Sequence, residues 1–165
     1  DRMVKRLTSE WLEVLERDRS HPCVVAWVPI NESWGITDMA GRPEQQALAL
    51  ALYHLTRAID PTRPVISNDG WEHTTSDILS IHDYSVDGAH LAARYGDADK
   101  VAAMFDHFGP QRRRLMLRQD PAASSRPVMV SEFGGLSYHP SRGEDWFGYA
   151  TVTSPEDYQT LLGDL

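Results

Sequence analysis

The sequence predicts an α/β fold of parallel βα units, and within that class a partial (β/α)8 TIM barrel of about four strands with helices outside. Three observations carry this. Helix-patterned segments and short apolar segments alternate along the chain, as they do where helices cover a parallel sheet. The apolar segments lack polar alternation, so they read as strands buried on both faces. Polar and acidic residues then follow strand after strand, as Asn31-Glu32, Asn68-Asp69, His82-Asp83-Tyr84 and Glu132, and in barrels chemistry gathers at those carboxyl ends. An open doubly wound sheet shows the same alternation, but no glycine-rich phosphate loop follows the first strand. A full barrel needs roughly 250 residues and eight strands. The 165 residues are therefore expected to form about half of one, as a fragment of a single domain over residues 1–165.

Each element has a local reason. Thr8 to Asp18 reads as a helix with Trp11, Leu12 and Leu15 on one side. Ser20-His21-Pro22 breaks it, and Cys23 to Ile30 follows as a continuous apolar run, strand 24–30. Pro43 to Ile59 is a strong helix: proline suits its first turn, and Leu48, Leu52, Leu55 and Ile59 form a core-facing stripe. Asp60-Pro61-Thr62-Arg63-Pro64 ends it before strand 64–68. Strand 78–82 follows. Ala89 to Phe108 is helical with a break at Gly96, and Val101, Phe105 and Phe108 make its stripe. Strand 127–131 comes next. Ser154 caps a last helix with Pro155 at its first position and acids against the positive dipole end. Val24, Ala26, Val28, Val128 and Val130 are expected to be covered on both faces, and mid-strand Trp27 to be a core residue.

Composition excludes several classes. With 41% hydrophobic and 24% charged residues, the chain is neither a disordered tail nor a low-complexity linker. Its net charge is -8, which disfavours nucleic acid, since phosphate neutralisation supplies most of that affinity. The one basic cluster, Arg112-Arg113-Arg114 with Arg118, reads as a solvated helix end or loop. No apolar run approaches a membrane span. The single cysteine, Cys23, cannot form an internal disulfide or anchor zinc alone, and reads as a small buried hydrophobe. No signal peptide is visible, which with the lone cysteine leans toward a cytoplasmic location. The chain begins at Asp1 rather than Met, so an excerpt of a longer protein is expected.

Two glutamates carry the chemistry. Glu32 ends the first strand and Glu132 the fourth, so both reach the cleft where strands leave the core. A facing carboxylate pair is what glycoside hydrolysis requires: one protonates the leaving oxygen, and the other attacks the anomeric carbon or activates water. Like charges a few ångströms apart raise one pKa and supply the protonated member. Spacing alone leaves open that either glutamate is a solvated loop residue or a helix cap.

Four segments, in order, resemble the family-2 glycoside hydrolases, which include β-galactosidases, β-glucuronidases and β-mannosidases. They are His21-Pro22-Cys23-Val24-Val25-Ala26-Trp27 running into Asn31-Glu32-Ser33; Asp60-Pro61-Thr62-Arg63-Pro64; Asp77-Ile78-Leu79-Ser80-Ile81-His82-Asp83-Tyr84; and Pro127-Val128-Met129-Val130-Ser131-Glu132-Phe133-Gly134. The resemblance runs across most of residues 8 to 160. It implies a retaining double displacement on barrel strands four to seven, with Glu32 as acid/base and Glu132 as nucleophile. It also implies that Tyr84 hydrogen-bonds the nucleophile and Asn31 contacts the sugar 2-hydroxyl. By the same resemblance, strands one to three and eight and the β-sandwich domains that usually precede the barrel lie outside this chain. Well-known bacterial β-galactosidases carry histidine three residues after the nucleophile, where this chain has Gly135. The stretch from Gly135 to Thr153 matches neither the common galactosidase nor the glucuronidase pattern. β-Galactosidase is the first expectation, with β-glucuronidase and β-mannosidase beside it.

Other candidates are weighed by position. Trp34 and Trp71 follow strand ends and could stack on a sugar ring or pack on the rim. His82 could hydrogen-bond substrate or be a satisfied barrel histidine. Asp69 could touch substrate or serve the turn before Gly70. Trp146 could line an outer subsite. No cofactor is implied. No metal site is expected, because neither an HxH nor an HExxH pair exists, although His82-Asp83 superficially suits a metal-dependent hydrolase. A non-catalytic carbohydrate-binding or inactive relative is the remaining alternative. The partner expected throughout is a β-glycoside carbohydrate.

Overall fold

A computed structural model describes residues 2–117, 122–139 and 147–165. Two long helices come first, α1 (Arg2–Asp18) and α2 (Pro43–Ile59), and they pack on each other. Strand β1 (Leu79–Asp83) follows, then helices α3 (Gly88–Tyr95) and α4 (Ala98–Ala103), strands β2 (Val128–Phe133), β3 (Leu136–Tyr138) and β4 (Ala150–Val152), and helix α5 (Pro155–Asp164). β1 pairs with β2 in parallel, Leu79 opposite Val128, with a register shift between Ile81 and His82.

The first two expected strands form no continuous ladder. Segments 27–31 and 65–69 meet in parallel at two places, Trp27 opposite Val65 and Asn31 opposite Asp69. Two prolines explain part of this: Pro29 and Pro64 have no N–H to give. Side chains explain more. Between 65–70 and 76–80 the Val65 N–H donates to Asp77 Oδ2 (2.8 Å), the Ser67 N–H to Ser76 Oγ (3.0 Å) and the Gly70 N–H to Ser80 Oγ (3.0 Å). The strand order of a partial barrel survives, zipped by side chains where backbone carbonyls usually serve.

The helices follow their stripes. Leu15 and Leu52 are buried. Trp11 and Ile59 pack on a cluster of Leu15, Trp27 and Val65, and Leu48 on one of Ile30, Ile36, Met39, Ala49 and Leu52. Trp27 is a core residue as expected, with its indole N–H donating to Asp60 Oδ2 (2.9 Å). Asp60 also accepts from Thr62 and Arg63, and these bonds hold its carboxyl well below the usual carboxylate range, those of Thr62 foremost. Arg63 reaches on to the Val24 carbonyl (2.7 Å). The Asp60-to-Pro64 motif is thus a rivet between α2 and the first strand segment. Ser154 caps α5 by accepting from the Asp157 N–H (3.1 Å).

Several expectations are corrected. The helix expected over Ala89 to Phe108 is two helices parted at Gly96, capped by Asp87 and Asp97. It ends at Ala103. Phe105 still packs on the Leu79–Ile81 cluster, but Phe108 is exposed, with the Arg114 guanidinium 4.7 Å above its ring. Arg113 likewise lies over Trp71, so Arg113 and Arg114 engage aromatic rings, while Arg112 and Arg114 are exposed as a solvated turn and loop should be; Arg118 falls outside the described residues. Cys23 is exposed, on a segment that pairs on one side only. Val28, Met129 and Phe133 are exposed too, and Val24, Val128 and Val130 only half-buried. Among the described residues no strand pairs with the far edge of β2 or of segment 27–31. The parallel pair β3–β4, beyond the fourth strand, is an addition. No described helix is long and apolar enough to cross a membrane.

Candidate active site

Four strand ends deliver one side chain each to a common point. Glu32 comes from the end of segment 27–31, Asp69 from segment 65–69, His82 from β1 and Glu132 from β2. The β1–β2 register sets His82 beside Glu132. Glu32, His82 and Glu132 each place a polar atom within 4.8 Å of the other two. The glutamates, a hundred residues apart in sequence, therefore face one another.

His82 sits at the centre and is fully buried. Its Nδ1 lies 2.7 Å from Glu32 Oε1. Nε2 lies 3.5 Å from Asp69 Oδ2 and 3.4 Å from Glu132 Oε1, aligned for a hydrogen bond with neither. Gly70 makes the room. A Cβ there would stand 2.2 Å from the imidazole, and Gly70 adopts φ +83, the left-handed region that glycine enters freely. Asp69 is also held from the far side, where Ser131 donates to Oδ1 (2.6 Å).

Tyr84 lies against both glutamates. Its hydroxyl donates to Glu132 Oε2 in a close hydrogen bond and stands 3.3 Å from Glu32 Oε1. Burial first, then the hydrogen bond to Glu132 and the two carboxylate charges, push the phenol above its ordinary range. Tyr84 thus stays protonated, as a donor, at neutral pH. Of the two glutamates, Glu132 is the more open, its side chain 42% exposed against 21% for Glu32.

Glu32 and the residue after it carry backbone strain. Glu32 has φ 49 and Ser33 φ 57, and a left-handed conformation costs an L-residue roughly 1–2 kcal/mol. Non-glycine residues held there cluster at functional sites.

The remaining expected site residues are dispersed. Asn31 is exposed, and its backbone bridges to Asp69. Trp34 is the most open of those described, 72% exposed. Trp71 is half-buried with the Arg113 guanidinium 3.5 Å from its ring centroid, and Arg113 pairs with Glu72 (3.2 Å), so one face of that indole is occupied. Trp146 lies outside the described residues. Asp83 faces away, accepting from Arg94 (2.6 Å) and Tyr95 (2.9 Å), so the His82-Asp83 pair is not convergent. The Glu32–His82–Glu132 trio has the composition of a weak cation site. Two of those would-be ligands already stand at hydrogen-bond distance from each other, and Tyr84 engages both carboxylates.

Sequence reasoning missed Tyr149. Its ring stacks on Tyr84 (3.9 Å between centroids, 6° between planes), and Phe147 meets its edge. Gly135 backs this stack: at φ +68, an added Cβ would lie 2.6 Å from Tyr149 Cδ2. A side chain three residues after Glu132 is therefore excluded, and Tyr149 fills the space. The Gly134-Gly135 pair was the only signal in the sequence.

No curated protein matches the chain. Residues 2–156 match the family described as glycosyl hydrolases family 2, TIM barrel domain, and the parallel strand order and the carboxylates gathered at the strand ends are what such a domain builds, so the chain belongs to that family.

Proposed function

We propose that this domain is the catalytic part of a retaining β-glycoside hydrolase, with Glu132 as nucleophile and Glu32 as acid/base. The observation that carries the reading is the facing carboxylate pair, with oxygens within 4.8 Å and Tyr84 between them. Retaining enzymes hold their carboxyl groups about 5–5.5 Å apart, and inverting enzymes roughly 6.5–9.5 Å. In the first step the Glu132 carboxylate attacks the anomeric carbon while Glu32 gives its proton to the departing glycosidic oxygen. The C–O bond breaks, and a glycosyl ester forms on Glu132. In the second step Glu32 takes a proton from water, which displaces Glu132 and restores the configuration. The more open Glu132 suits the attacking role, and the Tyr84 hydroxyl donates to it. Asn31, Trp34 and Trp71 remain candidate sugar contacts. β-Galactosides are the first substrates to test, then β-glucuronides and β-mannosides. The remaining barrel strands of the full-length enzyme carry the rest of the sugar pocket.

The test separates the two roles. Glu132→Ala in the full-length enzyme is expected to abolish turnover, and azide to restore it as the inverted α-glycosyl azide. Glu32→Ala is expected to hurt substrates with poor leaving groups most, because activated aryl glycosides need the proton least. Equal loss on both substrate types in Glu32→Ala would remove Glu32 from the acid role.

A further inference from the structure

We propose that Asn68, acting through Ser33, is a positioning residue for the acid/base step: a buried clasp that holds the left-handed turn aiming Glu32. The inference rests on the retaining-glycosidase reading. Glu32 and Ser33 are consecutive non-glycine residues at φ 49 and φ 57, a conformation that L-residues leave when nothing restrains them. Adjacent residues of one strand segment supply the restraint. The Glu32 N–H donates to the Asp69 carbonyl (3.0 Å), and the Ser33 N–H to Asn68 Oδ1 (2.8 Å). Asn68 Nδ2 then donates twice, to Ser33 Oγ (2.9 Å) and to the Glu72 carbonyl (2.9 Å). Both peptide N–H groups flanking the Glu32 carbonyl carbon are thereby tied to segment 65–69.

The chemistry of the partners fixes the amide's orientation. A peptide N–H can only donate and a peptide carbonyl can only accept, so Oδ1 must face Ser33 and Nδ2 must face Glu72. Asn68 and Ser33 are both sealed from solvent, at 0% and 1% exposure, so water cannot replace a lost bond cheaply. Asn68 touches neither carboxylate. Its effect reaches the chemistry through the direction of the Glu32 side chain, which must meet His82 Nδ1 at 2.7 Å. Glu132 comes from β2, outside the clasp, so the two steps should respond differently when the clasp is cut.

The experiment compares leaving groups in the full-length enzyme. Asn68→Ala is expected to lower kcat/KM on alkyl β-glycosides about 30- to 100-fold, the scale of an ångström-sized misplacement, and on dinitrophenyl β-glycosides less than about threefold. Ser33→Ala keeps the N–H bond to Oδ1 and loses one hydrogen bond, so the same asymmetry is expected at roughly three- to tenfold, the scale of one such bond. A uniform loss on both substrate types in Asn68→Ala would overturn the proposal, since general damage to the fold has no preference for poor leaving groups. Should thermal unfolding show that Asn68→Ala does not fold, Ser33→Ala decides by the same criterion. Glu132→Ala runs alongside. If it stays active, the glycosidase reading has failed; if it is dead while the clasp variants lose activity evenly, the clasp alone has failed.

Discussion

Tyr84 has one hydrogen to give and two carboxylates within reach. The closer contact goes to Glu132, and Glu32 is left with Nδ1 of His82 as its nearest partner. The two glutamates, only a few ångströms apart, therefore have different closest hydrogen-bond partners. A hydrogen bond to a charged group is worth about 1.5–3 kcal/mol. Tyr84→Phe is therefore expected to lower kcat about ten- to a hundredfold, with the melting temperature measured alongside. The deglycosylation step, when Glu132 departs, should be the one most affected, and pre-steady-state kinetics would show it as accumulated glycosyl-enzyme. A variant with wild-type kcat would mean that the phenol is a spectator. At this scale the sequence was partly legible. Glu32, Glu132 and Tyr84 follow apolar runs and stand out as polar punctuation. Asn68 also follows a strand, but its pairing with Ser33 was not legible, because it lies in hydrogen bonds between residues 35 apart, which no local pattern encodes. His82 shows the same limit: substrate contact and buried partner look alike in sequence, and burial alone places it behind the carboxylates.

At the scale of elements, the turn from segment 65–69 toward β1 governs the site as much as the strands do. Gly70 places its missing side chain against the His82 ring, and its carbonyl accepts from the His82 N–H (3.2 Å). Gly70→Ala would combine a strained backbone with a collision of 2.2–2.3 Å against the imidazole. His82 must then move, and Glu32 loses its partner. Activity is expected to fall about a hundredfold, with a lower melting temperature measured alongside. Normal kinetics in that variant would show that the seat is not needed. Helices were the most legible elements, since their 3.6-residue periodicity and caps are local. The strands were less so. Their apolar runs located them, but pairing depends on prolines and on side chains from the following turn, and β3–β4 carry too few residues for any pattern.

For the whole molecule, the exposed apolar side chains have the largest consequence. Val25 is 76% exposed and Phe133 54%, with Val28 and Met129 above a third. Leaving such side chains in water forfeits roughly 1.5–3 kcal/mol each, against a total domain stability of about 5–15 kcal/mol. Open strand edges add a route to association. The 165-residue chain expressed alone is therefore expected to self-associate and to show little activity on aryl β-galactoside, β-glucuronide or β-mannoside. Light scattering and those three assays check it. A monodisperse monomer that turns over any of the three substrates efficiently would contradict it.

The side-chain zipper between residues 65–70 and 76–80 changes what kind of information holds the sheet together. In an ordinary ladder the backbone pairs with itself, and almost any residue can be exchanged without touching the bonds. Here Ser76, Asp77 and Ser80 are themselves the acceptors. This joint is written in residue identity, so it tolerates fewer exchanges than the strands it joins. A redesign that kept the backbone but treated these three as interchangeable polar positions would cut side-chain bonds of the seam that carries Asn68 and Asp69 to the facing glutamates.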